Sequence, residues 1–188
     1  MRDLERANFE SLRGRVLVAH PGLIDPNFRR SVVLISEHTQ EEGALGVVLN
    51  RSLSKVLSEY RSQYEGSILA DVPVFEGGPV QTDGLILAAW RWQDSGDALQ
   101  LHFGATPEQV IALLEDQPDY TVRAYLGHAG WGEGQVEGEL TENAWLVQPV
   151  SGELLERSKD GQLWRDTVVD VSPELRYIVD APDDPSVN

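Results

Sequence analysis

Cysteine is missing from the whole 188-residue chain. Its absence excludes disulfides, thiolate nucleophiles and zinc held by thiolates, and it removes one marker of an oxidising compartment. Long apolar runs are missing as well, since no stretch approaches the roughly 18 uninterrupted apolar residues of a membrane-spanning helix. The opening segment MRDLERANFESLRGR mixes both charges and has no apolar centre, so it reads as neither signal peptide nor anchor. A cytoplasmic location with no membrane partner is the expectation. Positive charge is the third scarcity: 15 Lys and Arg face 31 Asp and Glu, for a net charge of −16. The imbalance is late in the chain, with residues 1–61 at net +1 and residues 62–188 at net −17.

Familiar catalytic signatures are also absent. Neither GxSxG nor GxxxxGK[ST] occurs, and the run Gly127 to Gly132 does not match GxGxxG, so serine-hydrolase, P-loop and dinucleotide readings lose their support. The four histidines, His20, His38, His102 and His128, include no pair spaced four apart as a helical metal site needs. Glu37, His38, Glu76 and His128 could meet in space around an ion, but dispersed acids and histidines are common in any domain, and no metal or cofactor is expected. Ser31 or Ser36 with a histidine and Asp25 has no local support as a triad.

What is present reads as one α/β-type domain over residues 1–188, ending in the polar, proline-punctuated tail 180–188. A short helix is expected over 3–13. Arg15 to Ala19, Ser31 to His38 and Ala44 to Asn50 are β-branched or continuously apolar, as strands buried on both faces are, and the last two suggest a hairpin. Asp25-Pro26 opens a single turn. Ser52 followed by Leu53, Val56, Leu57 and Tyr60 predicts an amphipathic helix over 53–61. Val72 to Phe75 reads as a short strand, and Leu85–Trp90 with Leu99–Phe103 as a second hairpin around QDSGD. Thr106-Pro107-Glu108-Gln109 carries a cap, a proline at the first helical position and a capping-box glutamine. Tyr120 to Leu126 is a strand, Gln135 to Leu140 a helix with Gln135 and Glu139 on one face, and Trp145 to Gln148 a strand. Helices are expected over Gln162–Val169 and Leu175–Val179, the second capped by Ser172.

Two glycine-bearing stretches stand out: VFEGGPV at residues 74–80 and YLGHAGWGEGQVEGE at residues 125–139. Gly127, Gly130, Gly132 and Gly134 suggest a loop that turns sharply or admits another backbone closely, and Trp131 among them suggests a cap on the core, or else the floor of a ligand pocket, with an indole N–H that needs an acceptor. The two loops are expected to meet, with Trp131 over the Gly77-Gly78-Pro79 turn.

Four ordered blocks, RVLVAHPGLIDPNFRRSVVLISEH, GALGVVLNR, VFEGGPV and YLGHAGWGEGQVEGEL, span about residues 14–149 and together resemble the AlgH/YqgE family of bacterial proteins. The resemblance implies an α+β fold with a bifurcated, partly barrel-closed mixed sheet surrounded by helices. It also implies motif positions at Pro21, Asp25, Phe28, Glu37, His38, Gly46, Asn50, Arg51, Gly77, Gly78, Pro79, Val80, Gly127, Gly130, Trp131, Gln135 and Glu139. The sequence departs from the family pattern where Ser52 follows Asn50-Arg51 in place of a proline. It departs again where the strand after GGPV runs Ala88-Ala89-Trp90 without the family's histidine. The family name derives from a proposed regulatory role in alginate production, so the resemblance implies regulation.

Two functions follow from this reading. One is a non-enzymatic regulatory or interaction protein binding an unknown protein or small molecule on a surface of Glu37, His38, Asn50, Arg51, Glu76, Gly77, Gly78, Pro79, Gly127, His128, Gly130, Trp131, Gln135 and Glu139. The alternative is an enzyme using Glu37, His38, Glu76 or Glu139 as acid/base groups. Direct DNA binding is not expected, because a −17 stretch repels phosphate and leaves only the early arginines to meet it. The purified protein is therefore predicted not to shift a duplex at physiological salt. Sub-micromolar, salt-sensitive binding in an anisotropy titration would contradict this.

Overall fold

Val16 to Ala19 and Val32 to Ile35 are fully or almost fully covered on both faces, which is why these short apolar runs become central strands. The structure, a computed structural model, describes residues 10–92, 99–157 and 161–179. Nine strands form one mixed sheet among them: β1 (Arg15–Ala19), β2 (Val32–Thr39), β3 (Gly43–Val48), β4 (Ser52–Val56), β5 (Pro73–Glu76), β6 (Val80–Trp92), β7 (Leu99–Ala105), β8 (Thr121–Trp131) and β9 (Trp145–Pro149). The main path runs β4-β5-β8-β3-β2-β1-β9, and β6, carrying β7, adds to β8 as a branch. The α+β class and the bifurcation are as the resemblance implied, but the sheet stays open. Among the described residues β9 pairs with β1 and β4 with β5, and the two do not meet.

Six helices accompany the sheet among the described residues: α1 (Leu57–Tyr60), α2 (Pro107–Asp116), α3 (Gln135–Thr141), α4 (Gly152–Arg157), α5 (Leu163–Val171) and α6 (Arg176–Val179). One core cluster gathers β1–β3 with Phe75, Trp90, Tyr125 and Trp145 beneath α3, α4 and α5. A second gathers Val74, Leu87, Ala89, Tyr120 and Ala124 beneath α1 and α2. Thr106 and Gln109 form the expected capping box of α2, at 3.3 Å and 2.8 Å.

Three local expectations are corrected. Residues 52–56 are strand β4, paired with β5, and only Leu57–Tyr60 is helical. Ser54 has a φ of 53°, which breaks any helix starting at Ser52, and the cap bond is instead Val56 N–H to the Glu59 carboxylate at 2.9 Å. Gly127 to Trp131 is not a loop but the end of β8. Ser172 makes no side-chain cap, and Pro173–Leu175 is a 3-10 turn ahead of α6. The helix expected over 3–13 lies largely outside the described residues, as do the QDSGD turn and the tail 180–188; residues 10–13 are not helical.

A buried charge sits within the first core. Arg123 is 1% exposed, with its guanidinium 4.9 Å from the Phe75 ring centre and 5.0 Å from that of Trp90. Its Nη2 donates to the Glu156 carbonyl at 3.3 Å, whereas Nε and Nη1 have no hydrogen-bond partner. Attraction to two ring faces replaces part of the lost hydration. Burial pulls Arg123 below its ordinary value, opposed by Tyr125 and Glu156. Burial likewise pushes the Tyr125 phenol up to about 12, with Arg123 opposing. An unfolded tyrosine titrates near pH 10. The stability that this neutral phenol contributes is therefore intact below about pH 10 and lost as pH rises through about 12, on the order of 2 to 3 kcal/mol. Urea unfolding between pH 9 and roughly pH 12 should show a steeper decline in the wild type than in Tyr125→Phe; parallel declines would refute a shifted Tyr125.

Candidate functional site

The two glycine stretches meet where the sheet divides. One edge of β8 pairs with β5 up to Leu126 and with β3 from Ala129 onward. Gly77 spans the change, its N–H donating to the Leu126 carbonyl at 2.7 Å and its carbonyl accepting from Val48 N–H at 2.8 Å. A side chain at Gly77 would run into the Gly127 carbonyl, and one at Gly78 into the His128 carbonyl. Gly78, with a φ of 150°, and Gly127, with a φ of 70°, also hold conformations that favour glycine. The expected contact between the loops is present, but its partner is the backbone at His128. Trp131 packs elsewhere.

Around this fork the side chains are paired. Asn50 accepts from Val32 N–H and donates to the Arg30 carbonyl, both at 2.9 Å, and so fixes the bend into β2. Arg51 Nη1 meets Glu76 Oε1 at 3.0 Å, while Glu76 N–H donates to the Arg51 carbonyl at 2.8 Å. This pair lies partly in solvent, with Glu76, Pro79 and Val80 exposed beside it. His128, half-buried, is the partner of Val80 across β6 and β8.

Trp131 belongs to a second group, built on α3. Gln135 and Glu139 stand one turn apart, so both face β8 and β9. Glu139 accepts from Trp131 Nε1 at 2.9 Å, Trp145 Nε1 at 2.7 Å and Gln135 Nε2 at 3.0 Å. Gln135 Oε1 accepts from Gly132 N–H at 3.1 Å. Phe28 stacks on Trp131 at 5.6 Å and meets the edge of Trp145 at 5.7 Å. Trp131 is thus the core cap the sequence suggested, and Glu139 is the acceptor its indole required. Gly130 is exposed beside it.

His38 forms a third group. Its Nδ1 accepts from Leu12 N–H at 2.9 Å, which leaves Nε2–H to donate to Glu137 at 3.0 Å. The ring is buried and ties the residues before β1 to α3. Glu37, its neighbour on β2, is exposed. The four proposed acid/base groups therefore do not converge. Glu76 pairs with Arg51, Glu139 with two indoles and His38 with Glu137, while Glu37 lines a separate cleft of about 380 Å³ with Arg13 and Ser36. Among the described residues no three His, Asp or Glu side chains are close enough to share a metal ion. Ser31 and Ser36 donate to the Phe28 and Leu45 carbonyls, at 2.7 Å and 3.1 Å, not to a histidine.

Sequence reasoning missed Glu137, buried Arg123 and a cleft of about 530 Å³ between β7 and α2 that His102, Gln109 and Asp116 line. The alternation of Gln100 and His102 on one strand face was its only local trace. The fork makes a direct test available. Gly78→Val should cost on the order of 1 to 3 kcal/mol, because the new side chain meets backbone and not a movable side chain. Gly132→Ala, with open space around its Cβ position, should stay within about 0.5 kcal/mol of wild type. Urea unfolding compares them, and equal midpoints would refute the close approach.

Known proteins share this arrangement. A family model described as AlgH-like, DUF179, matches residues 16–176. A UPF0301 protein of Streptomyces avermitilis is 38% identical over 195 residues, covering 95% of this chain and 96% of the relative. A UPF0301 protein of Thioalkalivibrio sulfidiphilus is 37% identical over 171 residues, covering 86% and 90%. Among solved structures, a Corynebacterium diphtheriae protein superposes with a TM-score of 0.68 at 24% identity, covering 93% of this chain and 94% of its own. The AlgH protein of Pseudomonas aeruginosa does so with a TM-score of 0.62 at 24% identity, covering 93% and 96%. Those two likenesses are of fold; the family model and the sequence relatives carry the assignment, and this chain belongs to the AlgH-like family.

Proposed function

We propose that the protein is a non-enzymatic regulatory or interaction protein of the cytoplasm, and that the fork of the sheet is its partner surface. The observation that supports this reading is the engagement of the candidate groups with one another. Glu139 and both nitrogens of His38 already hold internal hydrogen bonds, so neither offers a free proton-transfer atom in a shared cavity. Arg51, Glu76, Pro79, Val80 and His128 instead stand where β5, β6 and β8 come together, part charged and part apolar. Such a patch is rigid before binding, which lowers the entropy cost of association. A protein segment or small ligand with a charge pattern complementary to Arg51 and Glu76 fits it.

Exchanging the two charges, Arg51→Glu with Glu76→Arg, keeps an ion pair at the surface and reverses its direction. Quantitative affinity capture from cell extract should recover a partner with wild type and lose it about tenfold or more with the exchanged protein. A partner retained equally by both would refute the fork as the binding surface. Turnover of a metabolite by wild type that Glu37→Gln, Glu76→Gln or Glu139→Gln abolishes would refute the non-enzymatic reading.

A further inference from the structure

The cleft between β7 and α2 lies apart from the fork, and its polar groups have their roles dictated by a chain of hydrogen bonds. Arg91 can only donate, so its Nε bond of 3.2 Å to Gln100 makes that oxygen Oε1 and turns the amide Nε2 toward His102 at 3.3 Å. An amide nitrogen can only donate, so His102 Nε2 must accept. Tyr120 OH lies 3.2 Å from the same Nε2 and shares its lone pair. The Tyr120 hydroxyl in turn holds Arg91 above its ordinary value, with Asp119 adding to the effect. With Nε2 accepting, Nδ1–H is the remaining donor of the His102 ring.

The same logic applies across the cleft. Gln109 Oε1 accepts from Thr106 N–H at 2.8 Å, which leaves the Gln109 amide hydrogens free to donate. Asp116, the last residue of α2, lines the cleft and is exposed. Its carboxylate and the partial negative charge of the helix C-terminus make that end an acceptor and repel anions. Ala105, Ala112 and Leu113 supply apolar lining, and about 530 Å³ suits a small molecule.

We propose that this cleft binds a small uncharged ligand whose polar end is amide-like, an acceptor beside an N–H donor, on an apolar body. The acceptor takes hydrogens from His102 Nδ1 and Gln109 Nε2, and the donor faces Asp116. A carboxylate ligand has no donor for Asp116 and is repelled by it. An amidinium has no acceptor for the two donors.

Benzamide, benzoate and benzamidine share one apolar body and differ in that polar end, so amide NMR titrations with the three probe the assignment. Benzamide should give saturable shifts at His102, Gln109 and Leu113, with benzoate and benzamidine each at least about tenfold weaker. His102→Phe removes the donor and should weaken benzamide about tenfold. Ala112→Trp fills the cleft from an exposed position and should abolish the shifts. The proposal is overturned if benzoate or benzamidine matches benzamide, if benzamide shifts survive Ala112→Trp, or if folded wild type shows no saturable shift.

Discussion

Backbone meeting backbone at Gly77-Gly78 and Gly127-His128 is the constraint on which the rest of the structure depends. A sheet can divide only where one strand changes partners along an edge, and at that point three backbones must share a small space. Gly77 satisfies the Leu126 carbonyl of β8 on one side and the N–H of Val48, the last residue of β3, on the other. Cβ atoms there would occupy the place of carbonyls, so the fork requires residues without them. The end of β8 beyond this point places Trp131 on Phe28 and leads into α3.

Once the sheet is divided, its two faces bury different chemistry. The face under α3, α4 and α5 takes in polar groups: two indole N–H groups answered by Glu139, and a guanidinium held between aromatic rings. A carboxylate accepting three hydrogen bonds loses little by partial burial, because its lone pairs remain occupied. Arg123 is less fully answered, with a single carbonyl and two ring faces. The motif residues Trp131, Gln135 and Glu139 are thus explained by folding before any ligand is invoked.

That distinction shapes the functional reading. The buried partners of Glu139 and His38 hold the scaffold, whereas Glu76 and Pro79 at the fork, and Gln109 and Asp116 at the α2 cleft, are exposed. The two proposed sites lie on different branches of the sheet, one at the β5 and β8 junction and the other beyond β6 at β7. A rigid strand framework with polar groups of fixed donor and acceptor sense is suited to recognition.

The sequence by itself determined the elements whose signals are local. VLVA and VVLI have too many adjacent apolar residues for a one-faced strand, and Thr106-Pro107 with Gln109 closes its own cap within four residues. The i, i+4 spacing of Gln135 and Glu139 placed both on one helix face, and the AlgH-like family was readable from four ordered blocks. Tertiary structure alone decided the rest. Leu53, Val56 and Leu57 have helical spacing, yet pairing with β5 holds Ser52–Val56 extended, because ladder bonds and burial outweigh a short stretch's propensity. Gly127 and Gly130, which signal a loop, became the end of β8, since close approach and chain reversal draw on the same lack of a side chain, whereas Gly134 does turn the chain into α3. Glu137 as the partner of His38, 99 residues away, and Arg123 between Phe75 and Trp90 depend on distances that no local pattern encodes.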